Sequence, residues 1–139
     1  MTRFRVILAA AALLGCSGLQ VKHGKIIKEE GNVNLTAQFN DLAHQWSEHC
    51  KRVALSSNIK DRLDAPAYRG LVKLGKPAIP LIIDRYRMDD LPWAFVLDEI
   101  TGLHSIEDPN RFSPPKLRRR WLEWWDNEEA KKHQQALAR

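Results

Sequence analysis

The side chains in this sequence that carry reactive or metal-binding chemistry fall into distinct groups. His44, Glu48, His49 and Cys50 lie close together and offer imidazole, carboxylate and thiol ligands of the kind that hold zinc. Asp84, Asp89, Asp90, Asp98 and Glu99 supply carboxylates of the kind paired in general acid and base catalysis. Arg118, Arg119 and Arg120 stand beside Trp121, Trp124 and Trp125, a combination that can track phosphates while indole rings stack on bases.

Spacing decides among these readings. A helix turns about 100° per residue, so His44 and His49 point about 140° apart and cannot grip one ion as two histidines four apart would. His44 and Glu48 share a face, and two ligands without a third read as a surface pair. Cys50 falls on an apolar stripe and reads as a small buried hydrophobe rather than a reactive thiol. The five carboxylates read as helix-surface and turn residues, and no nucleophile, base and oxyanion donor come together by spacing. No glycine-rich phosphate loop, zinc spacing or nucleophile elbow occurs in the sequence. No catalytic residue, metal site or cofactor is therefore expected. Tryptophans at helical spacing read first as core, and the arginines between them as a solvated face. Nucleic-acid binding through Arg118, Arg119 and Arg120 is the alternative.

The elements that position these groups are helical by pattern. Leu35, Phe39, Leu42, Trp46, Cys50 and Val53 recur at spacings of three and four, which predicts a long helix over about 35–56, with Asn34 as its N-cap and Ser56-Ser57-Asn58 as its stop. Residues 64–102 hold three short amphipathic patterns with a helix-breaking signal at each join, predicting helices over about 65–74, 78–88 and 92–101. Gly75 suits a left-handed C-cap, Pro77 and Pro80 suit a first turn, and Asp89-Asp90-Leu91-Pro92 makes a turn. Ile79, Ile82, Ile83 and Tyr86 form one face of the middle helix, while Leu81 and Met88 lie opposite, as in an inner helix. In the third pattern, Trp93, Val96, Leu97 and Ile100 form the core stripe. Phe95 lies off it and is the candidate partner contact, with burial against the first or last helix as its competing assignment.

After a polar loop at 104–111, Ser113-Pro114-Pro115 starts a last helix near 114, carrying Leu117, Trp121, Trp124 and Trp125 inward as far as Trp125. Residues 126–139 read as a polar extension or tail. The 139 residues, with 44% hydrophobic and 28% charged side chains, fit one domain with one core and suggest neither a disordered nor a multi-span chain. A net charge of +5 and a pI near 9.4 permit anionic partners without requiring them. The expected fold is all-α, a small bundle of about five helices over 35–125. Its core should hold Phe39, Leu42, Trp46, Leu71, Ile79, Ile82, Ile83, Leu97, Ile100 and Trp121.

Two stretches resemble known patterns. Arg3 and Arg5 precede the apolar run Val6 to Leu14, and Gly15 precedes Cys16, which is the order of a secretory signal. The run is shorter than the ~20 residues a permanent membrane span needs. Leu13-Leu14-Gly15-Cys16 resembles the bacterial lipobox. That resemblance implies a signal peptide at 1–15, a lipid-bearing Cys16, and a linker at 16–34 that holds the domain off the membrane of the cell envelope. Ser17 in place of an aspartate implies the outer membrane, where the cell has one. Cleavage removes Arg3 and Arg5 and no acid, leaving a modest positive charge, and Cys50 then has no partner in the mature chain.

Leu74-Gly75, Ala78-Ile79-Pro80 and Leu81-Ile82 resemble HEAT-like repeats of the phycobilisome-lyase type, with Ile100-Thr101-Gly102 similar to the next such turn. Residues 55–125 are also similar to short uncharacterised bacterial proteins ending in a tryptophan-leucine-x-tryptophan helix. These resemblances imply a helical hairpin stack with an interaction surface and no activity. The expectation is a membrane-tethered, non-enzymatic module that binds an envelope protein of unknown identity. The alternative is a cytoplasmic basic module on nucleic acid.

Overall fold

The computed structural model describes residues 23–109 and 111–138, with side chains from Gly31 onward. The signal-peptide segment, Cys16 and the first part of the expected linker lie outside the described residues. Six α-helices follow in order: α1 (His23–Arg52), α2 (Ile59–Leu63), α3 (Pro66–Leu74), α4 (Ile79–Met88), α5 (Trp93–Thr101) and α6 (Pro114–Leu137). A 3-10 turn, Lys76–Ala78, leads into α4, and no strand occurs among the described residues. The fold is all-α. Helix α1 packs along α3, α3 packs on α5, and α6 packs on α4 and α5.

Helix α1 owes its docking to the predicted stripe, since Phe39, Ala43, Trp46 and Cys50 are buried. The helix itself is longer toward the N-terminus than the stripe. Asn34 lies inside it and not at its cap, because Gly31 weakens a helix by only about 1 kcal/mol and nothing from His23 to Asn34 blocks its continuation. The Thr36 hydroxyl donates to the carbonyl of Asn32 at 3.0 Å, one turn back, inside that extension. At the other end α1 stops at Arg52, and Val53 to Ser56 continue as hydrogen-bonded turns.

Trp46 has no exposed surface and meets three other elements. Its indole N–H donates to the carbonyl of Arg62 at the end of α2, at 2.8 Å. Its ring lies 5.5 Å from Tyr68 of α3 and 5.0 Å, edge to face, from Trp93 of α5. Trp93 is equally buried, touches Phe39 at 5.8 Å, and donates its indole N–H to Asp89 at 2.7 Å. Asp89 thus caps the turn after α4: the same oxygen accepts the amide of Leu91 at 3.2 Å. Around this aromatic cluster sit Leu71, Ile79, Ile82, Ile83, Val96 and Leu97, and Trp121 closes the core from α6. Leu42 and Ile100 are half-buried at its edge.

Several local expectations change. Helix α2 is additional, capped by Asn58, whose side-chain oxygen accepts the amide of Lys60 at 3.1 Å. Gly102 adopts the left-handed cap conformation, whereas Gly75 combines φ 68° with ψ −159°, a region that only glycine enters readily. Helix α4 is not an inner helix, since Met88 is exposed and Leu81 only half-buried; one apolar face suffices because α5 and α6 both meet it there. Ser113 makes no side-chain cap, and Pro114 alone sets the start of α6. Residues 126–137 remain helical and exposed in large part, supported by pairs such as Lys131 with Glu128 and Lys132 with Glu129, each at 2.7 Å.

Asp98 organises the loop after α5. Its two oxygens accept the amides of Ser105 at 2.8 Å and Ile106 at 3.0 Å, so one carboxylate satisfies two loop donors. Replacing Asp98 by Ala should cost about 1–3 kcal/mol in urea denaturation, because both amides lose a charged acceptor. Asp98→Asn should cost less. Hydrogen exchange at the Ser105 and Ile106 amides should accelerate in both variants, and unchanged exchange would show that the loop is held otherwise.

Candidate interaction cleft

Phe95, the candidate partner contact, is buried at 8% exposure and belongs to the core cluster. Its contact is with Phe112, ring to ring at 5.3 Å and edge to face, on the loop segment before α6. Neither the long first helix nor the last provides that ring. Phe95 therefore offers little free surface of its own. It forms the floor of a cleft of about 310 Å³ between α2, the α4 to α5 turn, α5 and the start of α6.

Ile59, Leu91, Pro92, Phe112, Pro115 and Leu117 supply the apolar walls of this cleft. Arg62, Asp90 and Arg118 supply charge at it. Helix α2 sits here because Asn58 caps it and Trp46 holds the carbonyl of Arg62 in its last turn, so the missed element forms one wall. The sequence signal for α2 was Asn58 followed by Ile59 and Leu63, a pattern of only one turn.

The three arginines do not form one patch. Arg118 reaches back to the α4 to α5 turn, donating to the carbonyl of Asp89 and pairing with the Asp90 carboxylate. Its guanidinium also lies 5.5 Å from the centre of the Tyr86 ring. Arg120 points to another flank and donates to the carbonyl of Ser105 at 3.0 Å. Arg119 between them is exposed and makes no such bond, and Arg120 is exposed too, whereas Arg118 is half-buried. Two residues apart on a helix means about 160° apart, and each flank arginine ties α6 to a different segment.

The remaining sequence candidates are likewise placed. Among the described residues, no three His, Cys, Asp or Glu side chains cluster as metal ligands. His49 bonds the carbonyl of Asp61 at 2.7 Å, and Glu48 pairs with Lys51 at 2.7 Å, which lowers the Glu48 carboxyl from its ordinary value through that hydrogen bond and charge. Cys50 is buried, and burial raises its thiol above the ordinary value, which favours the protonated form. Asp84 pairs with Arg87 at 3.4 Å, and Glu99 accepts the hydroxyl of Tyr68. These acids are structural partners and do not converge.

Comparison of the chain with protein-family models, with curated proteins and with solved structures finds no match.

Arg118→Ala should cost about 1–2 kcal/mol by urea denaturation, through the lost carbonyl bond and ring contact. Asp90→Asn should cost less than about 0.5 kcal/mol, since the Asp90 side chain is almost fully exposed. Equal losses would mean that the ion pair, and not the carbonyl bond, holds α6.

Tyr86 gives a second expectation. Burial pushes its hydroxyl up to about 12, against the smaller opposing effects of Arg118 and the Ala94 amide. Burial first, then the bond to Glu99, moves Tyr68 in the same direction. The folded state thus keeps protons that the unfolded state releases near pH 10, about the ordinary tyrosine value. The stability Tyr86 contributes is complete below about pH 10 and is lost as pH rises through about 12, and that from Tyr68 is lost at higher pH still. Urea midpoints should fall over that window, and less steeply in Tyr86→Phe.

Proposed function

We propose that the chain is a lipid-anchored protein of the bacterial envelope whose helical domain binds another envelope protein and catalyses no reaction. The observation that carries the anchor is the order Arg3, Arg5, the apolar run to Leu14, then Gly15 and Cys16. Among the described residues no helix is long and apolar enough to cross a membrane, so lipid on Cys16 is the anchor in this reading. The HEAT-like resemblance supports a helical stack as the interaction scaffold, and the apolar cleft over Phe95 supplies a concave surface for an apolar segment of the partner. A tether adds effective concentration, so modest affinity at such a cleft is enough.

Nucleic-acid binding is the weaker reading. Arg118 and Arg120 already make bonds within the protein, on separate flanks of α6.

Expression of the full chain in a bacterial host, followed by mass spectrometry, tests the anchor. The mature protein should lack residues 1–15 and carry acyl mass on Cys16, and Cys16→Ser should abolish both changes. A soluble chain that keeps Met1 would sink the proposal. For the cleft, Phe95 is too buried to alter safely, and Pro115→Asp is the better probe because Pro115 is exposed and an acid suits the first turn of α6. Cross-linked partners in cells should be lost in Pro115→Asp while the fold persists. Unchanged partners would exclude this cleft.

A further inference from the structure

Taken as the binding face, which is the reading this inference rests on, the cleft over Phe95 has a surface that selects among partners. The side chains open to solvent there are the half-buried Leu91, Pro92 and Phe112 and the exposed Pro114 and Pro115. They offer apolar area and no side-chain hydrogen bond. A volume of about 310 Å³ sits at the lower end of ordinary pockets and admits one large side chain with part of its neighbour. Large side chains seated in pockets of this kind are the usual anchors of an interface.

The charges at the cleft do not balance. Asp90 is taken by Arg118, whose guanidinium also holds the Asp89 carbonyl and faces the Tyr86 ring. Arg62, on the α2 wall, is half-buried, and its guanidinium meets no carboxylate among the described residues. Its place is fixed through the backbone, because its carbonyl accepts the Trp46 indole N–H. Two cations against one anion leave an excess positive charge beside an apolar surface. A carboxylate answers that excess, since a guanidinium can bind its two oxygens with parallel bonds. Such complementarity decides which partner binds more than how tightly it does so.

The chain itself supplies no such group. On the proposed processing, residues 16–22 precede α1 and reach at most about 25 Å when fully extended. Helix α1 places His23 about 35 Å from Trp46, which lies against α2. From Leu117 at the cleft, α6 leads the chain about 30 Å away by Leu137. A second copy is no better suited, because the exposed Val33, Leu55, Leu103 and Leu137 have no acid within two residues of them in sequence. Met88 is exposed and precedes Asp89, but Asp89 is bonded to Trp93 and to the Leu91 amide.

We infer that the cleft takes a segment of another protein in which a phenylalanine or leucine stands beside an acidic residue. The apolar side chain lies over Phe95, between Phe112, Leu91 and the prolines, and the carboxylate pairs with Arg62. An acid at position 115 would face the same carboxylate, so Pro115→Asp acts on this partner by charge as well as by shape.

The test is titration of the full chain with three acetylated, amidated tetrapeptides that differ only at their ends: Glu-Phe-Leu-Glu, Gln-Phe-Leu-Gln and Lys-Phe-Leu-Lys. Binding is followed by NMR at the Leu91 and Ala94 amides and the Ile59 methyl groups. The acidic peptide should shift these signals and bind about fivefold more tightly than the neutral one, with the lysine peptide weakest. Arg62→Gln should make the acidic and neutral peptides equal, and Arg62→Glu should place the lysine peptide first. A reversed order cannot come from a damaged fold. Equal binding of all three peptides, or an unchanged order in Arg62→Glu, would overturn the acidic preference while leaving the cleft as a binding face. No shift with any peptide at about 20 mM would overturn both. Changes in the same signals on dilution of the chain alone would assign the cleft to a second copy and overturn the inference.

Discussion

The body of this fold, from α1 to α5, depends on burying two indoles without stranding their N–H groups. Trp46 and Trp93 have no exposed surface, and burial of one aromatic side chain removes roughly 150–250 Å² from water. That gain holds only if each N–H finds an acceptor, since an unpaired buried donor costs about 1–3 kcal/mol. The two acceptors lie at element ends: the Arg62 carbonyl at the end of α2 and the Asp89 carboxylate after α4. Satisfying the tryptophans therefore fixes where two helices stop. With Phe39 and Tyr68 completing the ring contacts, α1, α3 and α5 are positioned by one cluster.

Helix α6 lies outside that cluster and is held differently. Leu117 and Trp121 give it an apolar anchor, and polar clasps flank the anchor: Arg118 on the carbonyl of Asp89 and Arg120 on that of Ser105. A run of arginines thus serves packing, because arginines two positions apart diverge and each reaches a neighbouring segment. Arg87 with Asp126 at 3.2 Å extends the contact further along α6. The cleft over Phe95 follows from this arrangement, since α6 meets the body along a stripe and leaves a hollow beside it.

The sequence made the short helices and their order legible because prolines, glycines and apolar period agreed at each join. Their boundaries within 64–102 are close to those in the structure. Helix α1 was legible only where it packs. A stripe reports burial and says nothing about a helix that continues into solvent, so Asn34 was read as a cap although the helix runs through it. Helix α2 was invisible for the opposite reason, being too short to show a period. Phe95 shows a third limit. Its position off the stripe was readable, but the ring that covers it, Phe112, comes from a loop whose path no periodicity describes. The same holds for the start of that loop, where Asp98 accepts the amides of Ser105 and Ile106.

The early start of α1 also changes how a tether at Cys16 would act. Residues 23–34 were read as linker and are helical. From His23 to Leu35 a helix rises about 18 Å at 1.5 Å per residue. A flexible chain of the same length spans about 19 Å on average. The mean reach is therefore nearly the same in both cases. The spread is not, because a coil samples all separations from contact to full extension, while a helix holds one. On the proposed anchor, the domain would be presented over a narrow range of distances from the point where the helix starts. Effective concentration is then high for a partner at that distance and falls steeply away from it. A stiff stalk favours one geometry of encounter, and a selective partner can be matched with modest affinity at the binding face.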